Sequence, residues 1–202
     1  MKLFLICLNI LFSLNFFGCG NAQTGKVAEL DKIQGKVEFR RASTSDFSPA
    51  KEKEPLYNKD IVKTGNDAQA ILKFLDQSIV TLNKMTIFEV IAAENVLGKQ
   101  NEGTAIYDMK KQKQETRVVS PHGTTAILGT LFCLTVNESS TTVWVKEGKV
   151  SFTSKAGGAP VIIEPGFKLV AKSDTIPTAA VAVDPFEQQI IFQRGLKPQM
   201  NR

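Results

Sequence analysis

The residues best suited to chemistry lie in one stretch, Thr116 to Val136, which reads TRVVSPHGTTAILGTLFCLTV. It contains the single histidine of the sequence, His122, and one of the three cysteines, Cys133. An imidazole base within reach of a thiol could activate it as a nucleophile. Apolar residues alternate with Cys133, however, so we expect the thiol to face away from the core, and no neighbouring cation in the sequence would activate it. We interpret Cys133 as a packed or idle cysteine.

His122 lies between Pro121 and Gly123, where the sequence predicts a turn with an exposed polar side chain. The chain contains no GxSxG, HExxH, Walker or GxGxxG motif, and one histidine excludes a multi-histidine metal site. No pair of carboxylates has a suggestive spacing. We therefore predict a protein with no catalytic residue, no metal and no cofactor, and we keep an enzyme that uses His122 and Cys133 as a remote alternative.

The composition is that of a globular protein that buries a core. Of 202 residues, 43% are hydrophobic and 22% are charged. The net charge is +5, but basic and acidic residues are interspersed, and the one basic cluster, MKKQKQETR at 109–117, has no aromatic residue for base stacking. We interpret that cluster as a solvated loop and predict no binding of nucleic acid.

The first residues have the plan of an export signal. Lys2 precedes an apolar run that is too short for a comfortable membrane span. Gly18 followed by Cys19 indicates a lipoprotein signal peptide over 1–18, with Cys19 lipidated and 19–26 as a tether to the membrane. Ordinary cleavage after Ala22, which would release a soluble protein, is the alternative. Either route removes Cys7, so Cys133 has no partner for an intramolecular disulfide.

The residues from 27 to 183 show apolar alternation in short segments separated by turn residues, which predicts an all-β domain. The densest segment, 60–91, alternates with a period of two and lacks the spacing of three and four that a helix needs. The polar segment 98–116 is predicted to be an inserted loop, or a long hairpin around Ile106 and Tyr107. Gly35 is expected to separate two strands.

One helix is predicted near the end, within a C-terminal segment 184–202. In DPFEQQIIFQRG, Asp184 is expected to be the N-cap and Pro185 the first helical residue. The remaining expectations are a capping box from Glu187, a stop at Gly195, and inward-facing Phe186, Ile190 and Ile191. We expect this helix to cover an open end or an edge of the β-domain; a partner-binding helix is the alternative.

Five segments of the sequence occur in an order typical of one family. They are GKVEF at 35–39 and KDIVKTGNDAQAILKFLDQSIVTL at 59–82, followed by VVSPHGTTAILGTLFCLTV, TTVWVKEGKVSF and IEPGFKLV. In these segments the sequence resembles FecR-domain proteins, and the resemblance covers about residues 26 to 172. Three positions depart from the family: Lys59 and Gln77 stand where the family has glycine, and Leu128 stands where it has arginine.

The resemblance implies an extracytoplasmic β-domain, a short irregular β-solenoid or rolled β-sandwich, over 27–183. It also implies that the motif glycines lie where the chain turns a corner and that Thr130 begins an inward-facing strand. The structural turn residues expected on this basis are Gly65, Gly123, Gly129, Thr130, Gly148 and Gly166.

The resemblance further implies a module that contacts other proteins. The best-known members carry a cytoplasmic anti-sigma segment and a membrane helix; we expect neither here, and therefore no direct contact with a sigma factor. The leading hypothesis is a non-enzymatic lipoprotein of the cell envelope, on the outer membrane or facing the periplasm, that binds another envelope protein in signal sensing or relay. The alternative is a surface or periplasmic structural protein that binds glycan, matrix or cell wall.

Overall fold

The computed structural model describes residues 25–93 and 95–196. The predicted signal peptide 1–18, Cys19, most of the tether and the tail after residue 196 lie outside the described residues. The elements are β1 (Ala28–Gln34), β2 (Val37–Arg40), β3 (Ser48–Pro49), β4 (Pro55–Leu56), β5 (Ile61–Thr64), β6 (Gln69–Phe74), β7 (Ile79–Leu82), β8 (Ile87–Ala93), β9 (Val96–Asp108), β10 (Thr116–Ser120), β11 (Gly123–Ile127), β12 (Leu131–Val136), β13 (Ser140–Glu147), β14 (Val150–Ser154), β15 (Val161–Ile163), β16 (Phe167–Lys172), β17 (Val181–Ala182) and α1 (Pro185–Leu196).

The strands form two sheets that share β9. Sheet A has the order β4-β1-β6-β7-β9-β12-β13-β16-β17, and sheet B has the order β3-β2-β5-β8-β9-β10-β11-β14-β15. Among the described strands, only β9 and β10 pair in parallel. Each sheet ends in strands of two or three residues: β4 and β17 in sheet A, β3 and β15 in sheet B.

The hydrophobic core lies between the two sheets, because alternate residues of each strand point inward. In β6, Ala70, Leu72 and Phe74 are buried while the residues between them are half-buried. Tyr107 stacks on Phe132 at 4.6 Å between ring centroids, and both rings are fully buried. The predicted all-β fold with one C-terminal helix is confirmed, and the packing of the two sheets makes it a rolled sandwich.

The strand β9 corrects one prediction. The inserted loop predicted at 98–116 is wrong over 98–108, which belong to β9; only 109–115 connect β9 to β10. The prediction failed because polar residues of β9 are buried in the sheet, where their polar groups are hydrogen-bonded. Gln100 is fully buried, accepts a hydrogen bond from the Tyr107 hydroxyl (2.8 Å) and donates to the carbonyls of Gly103 (2.8 Å) and Leu134 (3.1 Å).

At Gly103 the strand β9 leaves sheet B and enters sheet A. Up to Glu102 it pairs with β8, and from Gly103 onward it pairs with β12. Gly103 has φ +87°, and a Cβ there would lie 2.3 Å from the Met85 carbonyl oxygen. Only glycine fits this crossing, because both the positive φ and the close backbone approach exclude a side chain.

The helix α1 lies on the outer face of sheet A, where it contacts β7 and β9, and not at an open end or an edge. Asp184 caps it, with Oδ1 accepting hydrogen bonds from the Phe186 (2.9 Å) and Glu187 (3.3 Å) amides, and Pro185 is its first residue, as predicted. The predicted capping box is replaced by an ion pair of Glu187 with Lys168.

The predicted inward face of the helix is wrong at its first residue. Phe186 is 70% exposed, whereas Phe192 is buried and Ile191 packs beside it. The predicted stop at Gly195 falls one residue before the end at Leu196. The helix is short, so its periodicity allows more than one inward face, and contacts with the sheet decide between them.

Two of the departures from the family pattern fall where the backbone favours glycine. Lys59 has φ +67° and Gln77 has φ +69°. Gln77 closes a three-residue hairpin loop between β6 and β7, in which its amide donates to the Phe74 carbonyl (3.0 Å). Side chains at positive φ cost about 1–2 kcal/mol each, so both residues hold strain that glycine would not.

We predict that Lys59→Gly and Gln77→Gly each raise the free energy of unfolding by about 0.5–1 kcal/mol, because relief of strain exceeds the extra entropy of glycine in the unfolded chain. Urea denaturation would measure the change. Lys84→Gly is the matched control, since Lys84 is exposed in a turn without positive φ. Equal destabilisation of all three variants would contradict the prediction.

Candidate functional site

The sequence-predicted turn residues divide into two groups. Gly129, Gly148 and Gly166 have φ of +74°, +78° and +82°, so each occupies the left-handed region at a corner between strands. Gly65 lies in the turn between β5 and β6, where its amide donates to the Lys36 carbonyl (2.9 Å), and it lacks a positive φ.

Gly123 differs from these corners because it lies at the start of β11 without positive φ. A Cβ there would lie 2.4 Å from the Phe152 ring and 2.5 Å from the Thr153 carbonyl oxygen. Gly123 therefore allows β11 and β14 to approach each other closely. Thr130, immediately before β12, is buried, and its carbonyl accepts a hydrogen bond from the Met109 amide (3.0 Å).

His122 is buried, contrary to the expected exposed turn residue. It is 2% exposed, and its Nδ1 lies 2.9 Å from Thr141 Oγ1. Thr141 donates to Ser120 Oγ (3.2 Å), which donates to the Gly123 carbonyl (2.9 Å). The protons of both hydroxyls are used in these hydrogen bonds, so Nδ1 must donate its own proton to Thr141. This nitrogen therefore stabilises the corner and is not available to accept a proton.

Cys133 lies on the opposite face of sheet A from Thr141. It packs with Ile106 and Phe192 beneath α1 and is fully buried. Burial raises the pKa of its thiol to about 12, which is the opposite of what a nucleophilic thiolate needs. The structure therefore does not bring His122 and Cys133 together, and neither environment favours catalysis.

The ion pair between Arg41 and Asp60 is a buried cluster that sequence reasoning missed. Asp60 is 2% exposed and accepts hydrogen bonds from Arg41 (2.6 Å), the Tyr57 amide (3.0 Å) and the Ala42 amide (3.2 Å). Arg41 also pairs with Glu54 and lies over the rings of Phe39 and Tyr57. The carboxylate is satisfied by these partners, so the cluster fastens the β4–β5 connection to the end of β2. Only the aspartate of the family pattern could have signalled it.

A row of side chains crosses the outer face of sheet A. The register of the strands places one residue of each directly opposite the next, in the order Thr81, Ile106, Cys133, Trp144, Lys168 and Val181. Six strands at about 4.8 Å spacing make this row about 24 Å long. The helix α1 covers most of this row, because Phe192 packs on Ile106 and Cys133 and Glu187 pairs with Lys168.

The Val181 end of the row is partly open to solvent. Val181 is 55% exposed, Val170 on the same face is 44% exposed, and Phe186 in the first turn of α1 is 70% exposed. Val181 lies opposite Lys168 in the sheet, Val170 is two residues from Lys168 on the same face of β16, and Phe186 precedes Glu187, which pairs with Lys168 at 2.7 Å. We call Val170, Val181 and Phe186 the apolar rim; exposed apolar side chains grouped in this way are typical of interaction surfaces.

An open cleft of about 700 Å³ lies beside the 109–115 connection. Its lining is mainly polar and includes Asn95, Lys111, Lys113 and the carboxylate of Asp76, which accepts a hydrogen bond from Gln112 (2.7 Å). Among the described residues, no carboxylate forms an ion pair with either lysine of the cleft. The cleft could therefore accept a polar or anionic group.

The described residues provide no metal centre and no membrane span. Within 25–93 and 95–196, no three His, Cys, Asp or Glu side chains come close enough to hold a metal ion. In the same ranges no helix has the length and apolar character needed to cross a membrane.

We predict that Gly123→Ala lowers the free energy of unfolding by about 1–3 kcal/mol, because its Cβ would overlap the Phe152 ring and the Thr153 carbonyl. Gly166→Ala is the control: it has positive φ but no atom within 4 Å of its Cβ, so only backbone strain of about 1 kcal/mol is expected. Thermal or urea unfolding would rank the two. Adding Phe152→Leu should restore part of the loss at Gly123, and an unaffected Gly123→Ala variant would contradict the close approach.

Acid is predicted to loosen α1. The hydrogen bond from Lys168 holds the pKa of Glu187 below its ordinary value of 4.5. This contact is therefore fully present above pH 4.5 and is lost as the pH falls through the lower pKa of the folded state. The emission of Trp144, the single tryptophan, should shift to the red in that range.

Glu187→Gln should remove this acid transition, whereas Glu29→Gln should keep it. Glu29 also has a lowered pKa, caused mainly by Lys26, but it lies on β1, with four strands between it and β13 in sheet A. An unchanged acid profile in Glu187→Gln would refute the assignment to this ion pair.

Comparison with known proteins agrees with this architecture. Two crystal structures, at 2.50 and 1.65 Å, of a protein proposed to be an anti-sigma factor from Parabacteroides distasonis ATCC 8503 superpose with a TM-score of 0.55 and 14% sequence identity. The alignment covers 64% of this chain and 62% of theirs, so it shows a shared fold over part of each protein. No curated protein sequence is significantly similar to the chain. Residues 60–151 match the model of the family described as FecR protein. The chain therefore contains a FecR domain at residues 60–151.

Proposed function

We propose that this protein is a non-enzymatic component of the cell envelope whose FecR domain binds another envelope protein in signal sensing or relay. The observation that carries the proposal is the FecR domain at 60–151 together with the apolar rim beside it. A regulatory role is also favoured by the fold that the domain shares with the Parabacteroides protein, which is proposed to be an anti-sigma factor.

Membrane attachment through a lipid on Cys19 is part of the proposal. The sequence supports it, since Gly18-Cys19 follows an apolar run that begins after Lys2. A tether would keep the domain near other envelope proteins and raise their effective concentration. The chain would then face the periplasm or lie on the outer membrane.

The apolar rim suits a protein partner. Val170, Val181 and Phe186 offer apolar area around one charged residue, Lys168, and a partner that covers them would desolvate that area without burying an unpaired charge, since Glu187 already pairs with Lys168. Separate exposed apolar residues are common on any protein, but these three converge on one face.

Photo-crosslinking in living cells would test the proposal. A photoreactive residue in place of Val181 should capture one specific envelope protein, and the same residue at exposed Asp67 should not. Val170→Glu should reduce capture at Val181 by tenfold or more, because a carboxylate would lose its hydration in an apolar contact. Cys19→Ala should also abolish capture if the lipid brings the two proteins together.

The cleft beside the 109–115 connection supports a second candidate, a ligand-binding protein for anionic glycan or wall polymer. In the crosslinking experiment, capture of wall polymer alone, lost in Lys111→Ala with Lys113→Ala, would favour this candidate. Digestion by protease on intact cells separates the two further: a surface binder would be cut, and a periplasmic protein would be spared.

A further inference from the structure

The face of sheet A beneath α1 has the shape and charge of a helix-binding surface. Its centre is a second apolar cluster, separate from the main core, in which Ile106, Cys133 and Phe192 are buried and Leu131, Trp144 and Ile191 are half-buried. Two of the sheet residues, Cys133 and Trp144, lie opposite each other in adjacent strands, so the floor of the surface is flat and apolar.

The helix α1 is held on this face by few polar contacts. Among the described side chains, up to Gln193, they are the Glu187–Lys168 ion pair, a hydrogen bond from Gln188 to the Val145 carbonyl (3.3 Å), and the Lys146 ammonium, 5.8 Å from the centre of the Phe192 ring. At about 1.5 Å per residue, its twelve residues span about 18 Å, which is shorter than the 24 Å row.

The charges on the sheet are complementary to an acidic helix. Lys146 on β13 and Lys168 on β16 lie beside the apolar floor, and Lys172 lies four residues farther along β16 on the same face. Among the described residues, Lys168 has a carboxylate partner, whereas Lys146 and Lys172 have none. The described helix carries one acidic residue, Glu187, and several glutamines. A longer helix with more carboxylates would therefore make contacts here that α1 does not make.

We propose that this face is the docking surface for an acidic amphipathic helix of the envelope partner, and that α1 occupies it until the partner displaces α1. The proposal rests on the proposed function and names the partner's contact element. The partner's apolar residues replace Phe192 and Ile191 on the floor, and its carboxylates pair with Lys146 and with Lys168, which loses Glu187 when α1 leaves. The exposed Phe186 and Val181 lie at the entry, where the incoming helix first makes contact.

The first experiment tests whether α1 leaves the face while the rest of the domain stays folded. Cys133 is the reporter in a full chain that carries Cys19→Ala and Cys7→Ala, because a maleimide reaches it only when α1 moves away. Phe192→Ala should speed labelling tenfold or more, and the matched control Phe186→Ala should not, since Phe186 is exposed. Val62→Ala destabilises the distant main core and should change the rate less than twofold. Equal acceleration by Val62→Ala and Phe192→Ala would mean that labelling requires global unfolding and would overturn the proposal.

The second experiment tests the chemistry of the occupant. The probe is a synthetic peptide with the sequence of residues 184–196 that carries Gln188→Glu, Gln189→Glu and Gln193→Glu, and the matched peptide carries lysine at the same three positions. The acidic peptide should bind the Phe192→Ala chain at least tenfold more tightly and protect Cys133 from labelling. Lys146→Glu with Lys168→Glu in the chain should reverse the preference. Binding of both peptides alike, or of neither, would overturn the proposal.

The outcomes separate this proposal from the proposed function. If an envelope protein is captured at Val181 but Cys133 is labelled only on global unfolding, the protein binds its partner at another surface. The proposed docking surface beneath α1 is then wrong. If the acidic peptide binds with the predicted charge preference but no envelope protein is captured, the surface exists and the proposed function is wrong.

Discussion

The crossing of β9 from one sheet to the other is the constraint on which the rest of the structure depends. One strand pairs with β8 and β10 in sheet B and with β7 and β12 in sheet A, so both sheets are aligned by a single run of thirteen residues. Gly103 allows the change of sheet, and Gln100 ties the two parts of the strand through the Tyr107 hydroxyl. The strands before β9 and those after it can then pack on each other across one core.

The sequence predicted the elements whose signals are local. Alternation with a period of two in β6 and in β12 identified strands, and Asp184 with Pro185 identified the start of α1, because each depends on neighbours along the chain. The corners at Gly129, Gly148 and Gly166 are also local, since a positive φ follows from the turn itself.

The errors concern residues whose environment is built by distant parts of the chain. Gln100 reads as a loop residue because its acceptors and donors are supplied by Tyr107 and Leu134, the second of which lies on another strand. His122 is buried because Thr141, nineteen residues away, provides its partner. The inward face of α1 is set by Lys168 and by the floor around Cys133, which no periodicity within twelve residues can reveal.

The matched family segment and the rest of the chain contribute differently to the outer face of sheet A. The match at 60–151 includes Thr81, Ile106, Cys133 and Trp144, which form the floor of the row. Lys168, Val181 and α1 follow that segment and supply part of the charge, the exposed apolar residues and the cover. The outer face of sheet A is therefore built by both parts of the chain.

The short strands at the four sheet edges reduce the tendency of crowded copies of the chain to associate edge to edge. A strand of two or three residues exposes too few backbone N–H and C=O groups to recruit the edge of another molecule, which is how β-proteins assemble into aggregates. Many copies of an all-β chain concentrated in the plane of a membrane, as proposed here, would meet edge to edge far more often than in free solution. Blunt edges would let them remain separate at such densities.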